Sequence, residues 1–397
     1  MQMPVPTGPD AIGTVTDHWV DTNRRELFTE HGAPRELMVQ LWYPAAPAAR
    51  EERAPYVQDG RMLRPLARLM GLPEDSFDAL DRVPTHAIPS AAVASSEAGY
   101  PVLVFSHGRC GYRQHNTIQV EELVSHGFVV ATIDHPYAAT GVVFPDGRRV
   151  LFDDRLLPPW PWDPLPGHDG EVQRAALSFL ADDVRFVLDR LAALNDGDMD
   201  GPLAGRLDLE RLGALGVSLG AMVLTDAARL DRRIRAILSM DAPMPPAVVE
   251  DGLRIPAMWL SRDAVTMTLE GWSERDIVTT QATMRAVFDG LPGDGYLVLV
   301  PDMFHPDFSD GRFLSPLLPE RGLTGPISGE RARTILNAFS LAFFDRHLRD
   351  AAAPLLDDLA RGFPDVRFER RHAARDAVAS GDHVARTPDK ETRWARS

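Results

Sequence analysis

The sequence predicts an α/β fold built around a mostly parallel sheet. Three observations carry this. Short apolar runs bounded by turn residues alternate with segments of helical spacing through the middle of the chain. The pentapeptide Gly216-Val217-Ser218-Leu219-Gly220 falls between one such run and one such segment. The composition, 44% apolar and 25% charged over 397 residues, is that of a chain able to bury a large core.

Two N-terminal segments, 12–20 and 36–43, read as strands, paired as a hairpin at the sheet edge. Residues 101–105 are a continuous apolar run and predict a buried strand. A helix over 117–126 is stopped by Gly127, and 128–133 is the next strand. Leu177, Leu180, Val184, Leu188, Leu191 and Leu194 repeat at helical spacing, and Asn195-Asp196-Gly197 ends that helix. Strands follow at 213–216, 236–240, 256–260 and 296–300, with helices after Ser218 and over 276–289 and 330–348. Strands that alternate with helices imply parallel βαβ units. Two stretches interrupt the alternation. Residues 59–95 contain a short amphipathic helix, and 155–171 are too rich in proline and tryptophan for a regular one. Both read as cap-like insertions over the strand ends. The expected organisation is one domain over 1–364 and an Arg-rich tail over 365–397 that is partly disordered.

Charge and cysteine usage exclude several classes. A net charge of −15 is a poor match to nucleic acid or to anionic membranes. A single lysine, Lys390, removes Walker-type phosphate binding and Schiff-base chemistry. A single cysteine, Cys110, leaves no intrachain disulfide and no multi-cysteine metal site, and fits a reducing compartment. No apolar run approaches the length of a transmembrane helix, and the first residues lack the basic and apolar regions of a secretory signal. A cytoplasmic protein is expected.

The chemistry concentrates in G-x-S-x-G. In a strand-to-helix turn this pattern presents a serine oxygen at the strand end with a helix N-terminus behind it, and the glycines leave room for the tight turn. Serine needs a base. Of the histidines after Ser218, His347 lies in the long helix, and His372 and His383 lie in the tail. His305 follows the last predicted strand in a loop, where the base belongs. The acid is either Asp241 or Asp263, each at the end of a predicted strand. The oxyanion donors are expected from the backbone amides of Leu219 and of the 106–111 loop, with Arg109 the best placed.

With these residues placed, the chain resembles the plasma-type platelet-activating-factor acetylhydrolases and their bacterial relatives, a family of α/β-hydrolases. The resemblance runs from residue 5 to about 348. It rests on Pro6-Thr7-Gly8-Pro9, Leu41-Trp42-Tyr43-Pro44, Phe105-Ser106-His107-Gly108, Ser125-His126-Gly127-Phe128, the serine turn, and His305 with Phe308-Ser309-Asp310. It implies an α/β-hydrolase fold, helices on both faces of the sheet, and cofactor-free hydrolysis of short-acyl esters. The family's acid lies about two dozen residues after the serine, which favours Asp241, 23 residues on, over Asp263. Its oxyanion donors map to the amides of Arg109 and Leu219. The sequence departs from the family at Val217, Ala221 and Arg109, which bears on the substrate more than on catalysis.

Competing readings are weaker. Residues 196–201 imitate the start of a calcium loop, but Leu207 stands where its closing glutamate belongs. Asp302, His305, Asp307 and Asp310 are explained without a metal, and none is expected. His107 and His115 are expected as hydrogen-bonded structural histidines. The segment 61–71 with Trp160 and Trp162 could touch a lipid surface, but a cap packed over the site is the preferred reading. The expected partner is a small-molecule ester. A peptidase or amidase with the same triad, and a silent hydrolase-fold binding protein, are the alternatives.

Overall fold

The computed structural model describes residues 3–27, 32–47, 52–153, 170–358 and 362–372. In chain order its elements begin with β1 (Ala11–Arg25), β2 (Pro34–Ala45), α1 (Arg64–Leu69), β3 (Ile88–Pro89), β4 (Tyr100–Ser106), α2 (Thr117–Ser125) and β5 (Val129–Asp134). A small hairpin, β6 (Gly141–Val143) and β7 (Arg149–Leu151), precedes α3 (Gly170–Asp196), β8 (Leu207–Val217), α4 (Leu219–Leu230) and β9 (Ala236–Met240). Then come α5 (Pro246–Asp251), β10 (Ala257–Ser261), α6 (Ala264–Glu270), α7 (Glu274–Gly290) and β11 (Gly295–Leu299). Two short helices, α8 (Gly311–Leu314) and α9 (Leu317–Glu320), lead to α10 (Gly329–Arg349), and β12 (Arg367–Arg371) closes the described chain.

Among the described residues the main sheet has ten strands in the order β12-β11-β10-β9-β8-β4-β5-β2-β1-β3. Neighbours from β5 through β4, β8, β9 and β10 to β11 are all parallel. The β1–β2 hairpin joins antiparallel to β5, as the N-terminal pattern predicts. The parallel strands alternate between two cores. Val102 and Val104 of β4 face one core with α3 and α4, while Leu103 and Phe105 face the other with α2 and α10. Both faces are therefore covered, as near-continuous apolar strands require. This is the α/β-hydrolase arrangement.

The resemblance motifs have packing roles. The amide of Gly8 donates to Ser125 Oγ at 3.1 Å, and a Cβ on Gly8 would stand 2.2 Å from the Ser125 carbonyl oxygen. The N-terminal Thr7-Gly8 and the end of α2 thus fit only without a side chain at position 8.

The boundary drawn at 365 is too early. Residues 367–371 pair antiparallel with β11 and extend the sheet. The signal was hidden because the strand carries one inward aromatic among charges. Phe368 meets Tyr296 and Phe339, while Glu369 pairs with Arg285 and Arg370 with Asp357. The remainder of the predicted tail, and most of the 155–171 insertion with Trp160 and Trp162, lie outside the described residues.

Chain order fixes where a site can form. From β4 the chain moves outward through β5, then returns to lay β8, β9, β10 and β11 on the other side. The crevice at such a reversal, beyond the carboxyl ends of the strands, is where open α/β sheets bind ligands. Ser106 ends β4 opposite Gly216 of β8, so the 106–111 loop and the serine turn meet there.

Candidate active site

Ser218 joins β8 directly to α4 with φ 55° and ψ −122°, a conformation costly for a residue bearing a Cβ. Its amide donates to the Met240 carbonyl at 2.8 Å, which fastens the turn to β9. The flanking glycines are dictated by contact. A Cβ on Gly216 would lie 2.7 Å from the Gly220 carbonyl carbon, and one on Gly220 would lie 2.0 Å from the Ser106 oxygen. Gly108 approaches from the neighbouring loop, where a Cβ would stand 3.3 Å from that of Ser218.

Asp241 follows β9 with φ 44°, and is buried. His305 follows β11 through a short loop, and its Nδ1 is 2.6 Å from Asp241 Oδ2. The His305 side chain keeps 30% of its surface exposed, whereas that of Asp241 keeps none. Burial alone would raise the Asp241 pKa. The guanidinium of Arg262 and the His305 hydrogen bond outweigh it and hold the carboxyl down to about 2. Asp263 is not brought to His305. It caps α6, accepting from the Thr266 amide at 2.8 Å, and its other oxygen is 3.1 Å from Arg367.

Ser218, Asp241 and His305 line one cavity of about 350 Å³ together with Gly108, Arg109 and Leu219. The Arg109 guanidinium lies 4.8 Å from the Phe152 ring centre, a cation–π contact. Much of the remaining lining is apolar. Leu66, Met70, Phe77 and Leu80 come from the first predicted insertion. Leu314 and Leu318 come from α8 and α9, and they share a core cluster with Leu63, Phe77, Leu80 and Tyr112. The cap therefore has two halves, of which sequence reasoning found one. The other was hidden because 311–320 consists of helices too short to show a period. The arginines of the first half are paired locally, Arg61 with Asp59, Arg64 with Asp78 and Arg68 with Glu74, so they form no free basic face.

The remaining histidines divide. His107 is buried, with Nδ1 2.7 Å from the Gly108 carbonyl and Nε2 accepting from the His135 amide at 3.3 Å. Burial and the neighbouring His135 push its pKa down to about 4. His115 departs from expectation. It lines the cavity, and its Nδ1 is buried with no hydrogen-bond partner. Nδ1 abuts Gly111, where a Cβ would lie 2.9 Å away. His347 Nε2 is 3.0 Å from the Tyr296 hydroxyl, and His372 is exposed near Asp294. His383 lies outside the described residues. Residues 196–201 form an exposed turn. Among the described residues no group of three or more His, Cys, Asp or Glu side chains is placed to hold a metal ion. No helix among them is long and apolar enough to cross a membrane.

Sequence reasoning missed Arg262, Glu270 and Trp272. Arg262 precedes the alternative acid Asp263 in the chain and lies 21 residues from Asp241. Its Nε donates to Asp241 Oδ1 at 3.0 Å, and its other edge contacts Glu270. No local signal marks such a contact, because the partners come from separate strand ends.

Fold and site define a class, the α/β-hydrolases, and comparison with known proteins narrows it. A family model described as platelet-activating factor acetylhydrolase, isoform II, matches residues 1–148. The platelet-activating factor acetylhydrolase of Cavia porcellus is 23% identical over 63% of this chain and 58% of its own length. That of Gallus gallus is 20% identical over 87% of this chain and 84% of its own. The match thus spans less than two thirds of the guinea-pig relative. A solved structure, the ferulic acid esterase from Streptomyces cinnamoneus, superposes with a TM-score of 0.73 at 32% identity, covering 92% of this chain and 98% of that one. The chain belongs to the α/β-hydrolase family that includes the platelet-activating factor acetylhydrolases and this esterase.

Proposed function

We propose that this protein hydrolyses carboxylic esters through Ser218, with His305 as general base and Asp241 as its orienting acid. The observation that carries the proposal is a serine held at positive φ in the wall of a cavity shared with a histidine that is hydrogen-bonded to a buried aspartate. His305 takes the Ser218 proton as the oxygen attacks the acyl carbon, and Asp241 stabilises the imidazolium. The amides of Arg109 and Leu219 receive the oxyanion. His305 then protonates the departing alcohol, and a water activated by the same imidazole releases the acid from the acyl-enzyme. No step calls for a cofactor.

The substrate is read as a small ester with a short acyl group, whose apolar part occupies the wall built by Leu66, Phe77, Leu80 and Leu314. The names of the relatives, an acetylhydrolase and a ferulic acid esterase, both denote ester cleavage and support this class. The buried lone cysteine suits a reducing, cytoplasmic setting. The test is hydrolysis of p-nitrophenyl esters from acetate to decanoate, with covalent labelling by a serine-reactive phosphonate. Activity greatest on the short chains, and labelling lost in Ser218→Ala, is expected. Folded wild type that neither turns over nor labels would overturn the proposal.

A further inference from the structure

We propose that Arg262 and Glu270 are positioning residues that set the basicity of His305 through opposite charges held against the Asp241–His305 pair. The inference rests on the triad reading above. In such a triad the negative acid supports the imidazolium. Here that acid is not left to the imidazole alone. Asp241 Oδ1 accepts from Arg262 Nε at 3.0 Å and from Ser261 Oγ at 3.1 Å. Asp241 Oδ2, which meets His305 Nδ1, also lies 2.9 Å from Arg262 Nη2. The Arg262 side chain has no solvent exposure, so water does little to screen its charge.

Glu270 returns part of that charge. It contacts Arg262 Nη1, and its Oε2 accepts the His305 backbone N–H at 3.1 Å. Trp272 closes the array. Its ring lies 4.5 Å from the Arg262 guanidinium carbon and 5.6 Å from the His305 ring. A cation thus weakens what His305 feels from Asp241, and a second carboxylate offsets the cation.

The other ionisable groups around the ring are engaged elsewhere or neutral. Asp307, in the same turn, pairs with Arg312 at 2.7 Å. Asp263 faces Thr266 and Arg367. The Arg109 guanidinium lies over Phe152. His115 is kept neutral by burial, with a pKa of about 3. Arg262 and Glu270 are therefore the two charges in contact with the pair whose removal should be felt at His305, with opposite signs.

The signs follow directly. Without the cation, the imidazolium is better supported and the His305 pKa rises. Without the Glu270 charge, the cation acts unopposed and the pKa falls. The experiment titrates the His305 ring by 15N NMR in wild type, Arg262→Gln, Arg262→Lys and Glu270→Gln, alongside the acid limb of kcat/KM. Arg262→Gln is expected to move the titration up by about one pH unit or more, as for a charge within contact distance. Arg262→Lys is expected to return it toward wild type, and Glu270→Gln to move it down. Shifts of the same sign in both neutralising variants, or none, overturn the inference. If Arg262→Gln does not fold, Glu270→Gln decides alone. The NMR titration needs no substrate, so a failure to hydrolyse esters and a failure of the predicted shifts are read separately.

Discussion

Two Ser–His–Asp arrays stand side by side behind the ends of β4 and β8. In one, His305 Nδ1 meets Asp241 at 2.6 Å and Ser218 shares their cavity. In the other, Ser106 Oγ is 2.9 Å from His135 Nε2, and His135 Nδ1 is 2.8 Å from Asp183. Both acids carry a buried arginine, Arg262 on Asp241 and Arg35 on Asp183. The arrays differ in access and in backbone. Ser106 is the last residue of a regular strand and, like His135 and Asp183, is buried. Ser218 sits at positive φ on a cavity wall. The same three residue types, with a similar His–Asp contact, therefore make a candidate site in one place and an internal brace in the other.

The brace has its own electrostatics. Burial alone would raise the Asp183 pKa, but Arg35 and His135 outweigh it and hold the carboxyl well below the usual range. Glu26 adds a second acid to Arg35, and Arg24 a second cation to Asp183. This network ties β1, β2, β5 and α3 to the base of the loop that carries Arg109. A buried network of this kind specifies one arrangement strongly once every member is satisfied.

The sharpest break in the comparison is between the two serines. Ser218→Ala is expected to lower kcat on a p-nitrophenyl ester by roughly 10⁵–10⁶-fold, and Asp241→Asn by about 10⁴-fold. Ser106→Ala should leave kcat within about tenfold, since it removes one hydrogen bond from a brace and no reacting atom. Comparable losses at both serines would erase the distinction. Next in size is the brace itself. Asp183→Asn leaves the Arg35 charge buried without its main partner, and urea unfolding should show a loss of about 3–5 kcal/mol. An unchanged midpoint would mean that the network holds nothing together.

Acid sensitivity sharpens the comparison further. His107, which supports the His135 amide, has its pKa lowered from 6.5 to about 4 in the folded protein. Above pH 6.5 the ring is neutral in both states and contributes no slope. As the pH falls from 6.5 to 4, the unfolded chain binds a proton that the folded one does not, and stability declines by on the order of 3 kcal/mol. Thermal melts over that range should show the decline, and His107→Gln should flatten it; an equal slope in the variant counts against this account. The smallest effect is expected at Asp263. Asparagine caps a helix about as well as aspartate, and Arg367 is largely exposed, so Asp263→Asn should change stability by less than about 1 kcal/mol and leave kcat intact.

Much of this was legible in the sequence because it is local. The apolar runs that became β4, β5, β9 and β11, the leucine spacing of α3, and the glycines around Ser218 each encode their structure within a few residues. Residue 305 could be singled out as the base because chain order and loop position left few rivals. The acid was harder. Asp241 and Asp263 both follow a strand, and nothing local says which one turns toward His305 and which one turns back to cap α6. The second half of the cap, the unpartnered Nδ1 of His115, the strand at 367–371 and the buried arginines were also out of reach.

By itself, then, the sequence determined the order of strands and helices, the serine turn, and the loop that holds His305, because hydrophobic period and glycine conformation act over short spans. Only the tertiary structure decided which aspartate meets which histidine, which Ser–His–Asp array opens to a cavity, and where Arg262 and Arg35 find their acids. Those contacts join residues 21 to 148 positions apart. They depend on the sheet bringing separate strand ends together, and no short-range pattern in the chain records that.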